Sequence, residues 1–279
     1  MLVPVDATST SENTVRYAAE WGKHNNYEQI ILLKTSYESM FDYINISEGY
    51  ALVDGENLKH QQEGTEMLLA NLQEKIIEKA PEINVVLITS RLPLVRSVID
   101  LIKNEESIEL IILGSDHTAI SNDSFVSSNI IDITRTSPVK TMIVPKNYDF
   151  KSIKTILVPC DMNHMTNLDR LSRFRTVLKE KNVQLMLLNV STKENNETTD
   201  FKKNQWELNI RQYLKDIPYS IYYSFDKNVI NGILSFTVSS KVDLIIALPG
   251  KHSFLYYLAN RSISEGIYQN TDQAVLILK

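Results

Sequence analysis

Two short apolar segments that each end in Pro-x-Asp lie 155 positions apart, MLVPVD at 1–6 and ILVPCD at 156–161. Two later pairs share another spacing: IELIILG at 108–114 with VDLIIAL at 242–248, and TMIV at 141–144 with VLIL at 275–278, each 134 apart. Segments that recur in one order mark a duplicated unit. The offset falls by 155 − 134 = 21 residues, so the first copy carries extra chain. The spacing places it near Tyr37 to Gly64, a stretch that contains Tyr37, Tyr43 and Tyr50. At 279 residues the chain is long enough for two separate cores.

Within each copy, strands alternate with helices. In the first, Ser9 and Glu12 form a capping-box pattern, and Val15, Ala18, Ala19 and Gly22 recur on one helical face. The strand IILLKT follows, then a helix marked by Leu69, Leu72 and Ile76, the strand VVLIT at 85–89, a helix marked by Val95, Val98, Ile99 and Ile102, and the strand LIILG. Continuous apolar strands predict burial on both faces, and the alternation predicts right-handed crossovers in a parallel sheet. The fold expected is α/β, two tandem doubly wound domains, each with a five-stranded parallel sheet flanked by helices. The polar stretch KNYDFKSIK at 146–154 is the expected linker, giving domains at 1–147 and 152–279. STKENNETTDFKKN at 191–204 reads as a mobile polar loop, and Phe254, Leu255 and Leu258 in FLYYLAN read as core.

Charge and composition exclude several classes of function. The net charge is −5 with Lys and Arg scattered along the chain, which gives no footprint for nucleic acid or anionic lipid. No apolar run approaches the roughly 20 residues that cross a bilayer, and Met1 opens directly into a strand, so the expectation is a cytoplasmic protein without a signal peptide. The single cysteine, Cys160, has no partner for a disulfide in the chain and reads as a small apolar residue. His117 and His164 have no second ligand at metal-binding spacing and read as polar surface, so no metal is expected. Neither a G-x-x-x-x-G-K-[ST] loop nor a serine-glycine-glycine pyrophosphatase-type loop is present.

In an open parallel sheet, ligands bind beyond the carboxyl ends of the strands at the switch point. The loops that meet there hold Asp6 and Gly114 in the first copy and Asp161 and Gly250 in the second. An Asp just past a strand contacts a ligand or caps the next helix, and both roles stay open. The ILVPxD opening, the late LIxxG strand, and a Ser before the helix leading to a final V-x-I-V strand resemble the universal stress protein family, across the whole chain, twice. The resemblance implies the adenine nucleotide alpha hydrolase-like fold. In nucleotide-binding members, an Asp ending the first strand contacts adenine, and the fourth strand runs into Gly-x-x-Gly, nine residues, then Gly-Ser or Gly-Thr. Bare glycine lets backbone N–H groups approach phosphate closely.

Laid on this chain, the pattern puts Gly114, His117 and Ser127 at the three glycines and Ser128 at the hydroxyl, so one glycine survives. In the second copy Leu248, Lys251 and Arg261 take the glycine positions and Ser262 the hydroxyl, so none survives. Ser115 and Val190, near the ends of their strands, complete the implied cofactor-binding set. The resemblance implies ATP or AMP as ligand, and the lost glycines argue against it. The function expected is therefore a tandem, non-enzymatic stress-response binding or regulatory protein. The rival is an ATP-binding member with weak hydrolysis, its first domain the better site. The expected partner is the chain itself, an intramolecular pseudo-dimer, with TMIV and VLIL as contact strands; a homodimer through the same strands is the other arrangement.

Overall fold

The computed structural model describes residues 1–36, 55–116, 125–162, 171, 183–192, 198–215, 217–248 and 272–279. The described residues gather into two compact units, one holding Met1–Asp116 and residues 125–137, the other the described residues of Pro138–Lys279.

The first unit opens with β1 (Leu2–Val5), α1 (Ser9–His24), β2 (Gln29–Thr35) and α2 (Gly55–Lys79). It continues with β3 (Asn84–Ser90), α3 (Leu94–Asn104), β4 (Leu110–Ser115), the short α4 (Phe125–Ser128) and α5 (Ile130–Thr136). Its strands run in the order β3-β2-β1-β4, all pairings parallel. β1 and β4 are buried throughout, as their unbroken apolar sequences predict. β3 lies at the sheet's edge, and Leu87 in it is among the exposed large apolar side chains, so VVLIT is less covered than its composition suggests.

The apolar face predicted for the first helix is the buried face of α1, with Val15, Ala18 and Ala19 fully covered. Its cap lies one residue earlier than the capping-box pattern indicates: Thr8 is the N-cap and its hydroxyl accepts from the Ser11 amide at 3.3 Å. Glu12 instead pairs with Lys75 of α2 at 2.9 Å. Leu69, Leu72 and Ile76 of α2 are buried, as are Val98 and Ile102 of α3. α2 is 25 residues long against 16 for its counterpart in the second copy, so part of the extra chain extends a helix. Tyr37, Tyr43 and Tyr50 lie outside the described residues.

The second unit contains β5 (Lys140–Pro145), β6 (Thr155–Pro159), β7 (Gln184–Ser191), α6 (Thr198–Tyr213), β8 (Tyr219–Phe225), α7 (Val229–Ser239), β9 (Leu244–Ala247) and β10 (Ala274–Ile277). Its strand order is β5-β10-β9-β6-β7-β8. The pairings from β10 to β8 are parallel, while β5 joins β10 antiparallel, Ile143 opposite Val275 and Thr141 opposite Ile277. TMIV and VLIL thus meet directly. The expected loop at 191–204 is corrected in its second part, where Thr198 begins α6. Trp206, only 1% exposed, anchors that helix, lying edge-on to Tyr223 of β8 with ring centroids 5.9 Å apart. Lys203 sits 4.1 Å over the Tyr223 ring, and the Tyr223 hydroxyl donates to Glu207 at 2.6 Å. A helix polar by composition is held by buried Trp206 and Ile210. FLYYLAN lies outside the described residues.

The expected linker is tied down by Asp243, at the start of β9. Its Oδ2 accepts from the amides of Lys154 and Thr155, each at 2.9 Å, and from the Thr155 hydroxyl at 3.0 Å. The hydroxyl of buried Tyr148 donates to the Asp243 carbonyl at 2.6 Å. Removing an acceptor that serves two backbone amides leaves them unsatisfied, at about 1–3 kcal/mol. Asp243→Ala is therefore expected to lower unfolding stability by that amount, read by chemical denaturation; an unchanged midpoint would show that the linker is not anchored there.

Candidate functional site

The carboxyl ends of β1, β2 and β4 come together in the first unit, and Asp6 is the polar centre. It is 5% exposed. A buried carboxylate is costly unless its oxygens are bonded, and here they are. Oδ1 accepts from the Ser11 hydroxyl at 2.7 Å and from the Thr8 hydroxyl, while Oδ2 accepts from the Val126 amide at 3.1 Å. The Asp6 amide in turn donates to Ser11 Oγ at 2.8 Å. Of the two roles open in the sequence, capping the next turn is thus filled, and one oxygen also reaches α4.

Gly114 and Ser127 also come together. Ser127 Oγ accepts from the Asp116 amide at 2.8 Å and donates to the Gly114 carbonyl at 3.1 Å. A side chain standing at an expected glycine therefore occupies the first backbone N–H beyond β4. Gly114 itself has no positive φ. A Cβ there would collide with the Thr14 hydroxyl and come within 2.8 Å of Thr10 Cγ2, so the bare backbone lets α1 lie against β4. Ser115 is buried in β4, and Ser128 is exposed.

Lys34, absent from the residues singled out in sequence, belongs to this neighbourhood. It pairs in register with Val5, the residue before Asp6, and is half-buried. Its Nζ donates to the Thr35 carbonyl at 2.9 Å. Burial pushes the ammonium below the ordinary lysine range, and the Asp6 charge pulls it partly back. A lone charge inside the apolar run IILLKT was the available signal. Thr8 and Ser11 are masked in the sequence by the Ser9–Glu12 capping-box pattern one residue later.

The second unit is built differently. Asp161 is partly exposed. Val190 packs on α7, where a Cβ at Gly232 would come within 2.6 Å of its Cγ1. Cys160 donates from its amide to Leu188 O and from its thiol to Val158 O at 3.3 Å, and its carbonyl accepts from Asn189 at 2.9 Å. His117, Gly250, Lys251, Arg261 and Ser262 lie outside the described residues, as does His164. Among the described residues no three His, Cys, Asp or Glu side chains converge, and no helix is long and apolar enough to cross a membrane.

The model of the universal stress protein family matches residues 1–145. The chain belongs to that family. A universal stress protein from Archaeoglobus fulgidus DSM 4304 is similar over 100% of this chain and 95% of its own, at 16% identity and a TM-score of 0.68. A putative universal stress protein from Pseudomonas aeruginosa UCBPP-PA14 is similar over 100% and 91%, at 12% identity and a TM-score of 0.56. The cytoplasmic domain of a prokaryotic cation chloride cotransporter matches over 99% and 93%, at 12% identity and a TM-score of 0.53. At these identities the likeness is one of fold. No curated protein matches the sequence.

Two outcomes follow for this universal stress protein. Gly114→Ala is expected to cost about 1–3 kcal/mol through overpacking, read as a fall in unfolding midpoint; no change would place α1 away from β4. The Cys160 thiol is pushed from 9.0 up to about 12, by burial first and then by Asp161. With the folded value above the unfolded one, its contribution to stability is intact below about pH 9 and lost as pH rises through 12. The native protein should accordingly react more slowly with a thiol reagent at pH 8 than the denatured chain does, and equal rates would contradict this.

Proposed function

We propose that the chain is a tandem universal stress protein acting as a non-enzymatic stress-response binding or regulatory protein, in which the backbone amides that flank the nucleotide loop, those of Asp116 and Val126, are bonded to side chains of the protein itself. The observation that carries this reading is the Ser127 hydroxyl on the Asp116 amide, beside the Asp6 carboxylate on the Val126 amide. Backbone donors at the carboxyl end of β4 are thereby engaged within the protein. Each charge-assisted hydrogen bond forgone by a phosphate is worth about 1.5–3 kcal/mol, so losing two weakens ATP by about a hundredfold or more.

The two repeats, 1–147 and 152–279, form an intramolecular pseudo-dimer in this reading. The antiparallel pairing of β5 with β10 supports it. β10 also pairs with β9, so both of its edges are taken inside the chain, which favours this arrangement over a homodimer through β10. A cytoplasmic location fits the single cysteine, which has no disulfide partner in the chain. The alternative is an ATP-binding stress protein with weak hydrolysis, seated in the first domain, where Gly114 is retained.

The test is a titration of the whole chain with ATP, ADP and AMP, each with magnesium, followed by melting temperature and phosphate release. The proposed reading expects no ATP-dependent rise and no turnover. A clear rise with slow phosphate release would establish the alternative.

A further inference from the structure

A half-buried ammonium ordinarily finds a carboxylate, because leaving it without one forfeits hydration and gains little. Lys34 departs from this. Among the described residues its only hydrogen bond is to the neighbouring Thr35 carbonyl, at 2.9 Å, and it makes no ion pair. An ammonium has three donor hydrogens, so two have no partner among the described residues. The nearest opposite charge, Asp6, has its oxygens committed to Thr8, Ser11 and Val126. Asp6 attracts Lys34 without bonding it.

The position is also telling. Bonding to the Thr35 carbonyl places Nζ at the carboxyl end of β2, next to the end of β1, on the side of the sheet where ligands enter open α/β folds. The sequence makes this charge a deliberate intrusion, one cation after four apolar residues, Ile30 to Leu33, all buried.

We propose that Lys34 is the anion-binding residue of the first unit, taking a small oxyanion, phosphate monoester or carboxylate, at the carboxyl end of β2. The grip then comes from a side chain and not from the β4 loop. This rests on the reading that the Asp116 and Val126 amides are engaged within the protein, yet the two fail separately: ATP bound there would alter those amides, whereas an anion at Lys34 would alter the Lys34 side chain.

The experiment uses the whole chain with inorganic phosphate, AMP, acetate and adenosine as probes at matched ionic strength. The readouts are the Lys34 CεH2 NMR signal, assigned by its loss in Lys34→Met, and the melting temperature. Phosphate with AMP, or acetate, is expected to move the Lys34 signal, the responding arm naming the oxyanion, while adenosine leaves it still. Lys34→Met should weaken anion binding by about tenfold or more, and Lys34→Arg should retain it. A Lys34 signal that no anion moves would overturn the proposal, as would full anion binding in Lys34→Met. Should Lys34→Met fail to fold, Lys34→Arg supplies the assignment and the wild-type titration still decides.

Discussion

A carboxylate placed under the carboxyl end of a parallel sheet must be satisfied wherever the chain can supply donors. Asp6 sits at that point, at the end of β1, and the local structure is arranged around its needs. Thr8 and Ser11 turn their hydroxyls to it as α1 begins, and the amide of Val126 arrives from a helix 120 residues later. One side chain thus fixes the start of α1, the seat of α4 and the turn between β1 and α1. In the proposed reading, the same bonds that stabilise the unit also engage groups that a bound nucleotide would otherwise meet.

Ser127 extends this logic to β4. Its hydroxyl bridges the Asp116 amide and the Gly114 carbonyl, so the strand end is closed by a side chain at a place where the resemblance implies bare backbone. Gly114 survives for another reason, the close passage of Thr10 and Thr14 on α1. A retained glycine is therefore not by itself a retained phosphate site. Val190 carries the same lesson in the second unit, since its methyl groups serve the packing of α7.

Much of the fold was legible because it rests on long-range order in the apolar pattern. The Pro-x-Asp repeat, the buried runs of β1, β4 and β9, and the faces of α1, α2 and α3 all follow from periodicity and duplication. What escaped depends on single side chains. α6 is too polar to announce itself, and buried Trp206 and Ile210 secure it. The cap at Thr8 was hidden by a better-known pattern one residue later. For the site, Asp6, Gly114 and Ser127 were located by position, but their partners were not. Hydroxyl-to-carboxylate and hydroxyl-to-amide bonds join residues whose spacing in sequence carries no period, and Lys34 had only its charge to mark it.

The central claim is that the amides of Asp116 and Val126 are engaged within the protein. Amide hydrogen exchange at these two residues, with and without ATP and magnesium, tests it most directly. Slow exchange in the free protein, unchanged by ATP, is the predicted result. Fast exchange in the free protein that becomes slow only when ATP is added would contradict the account.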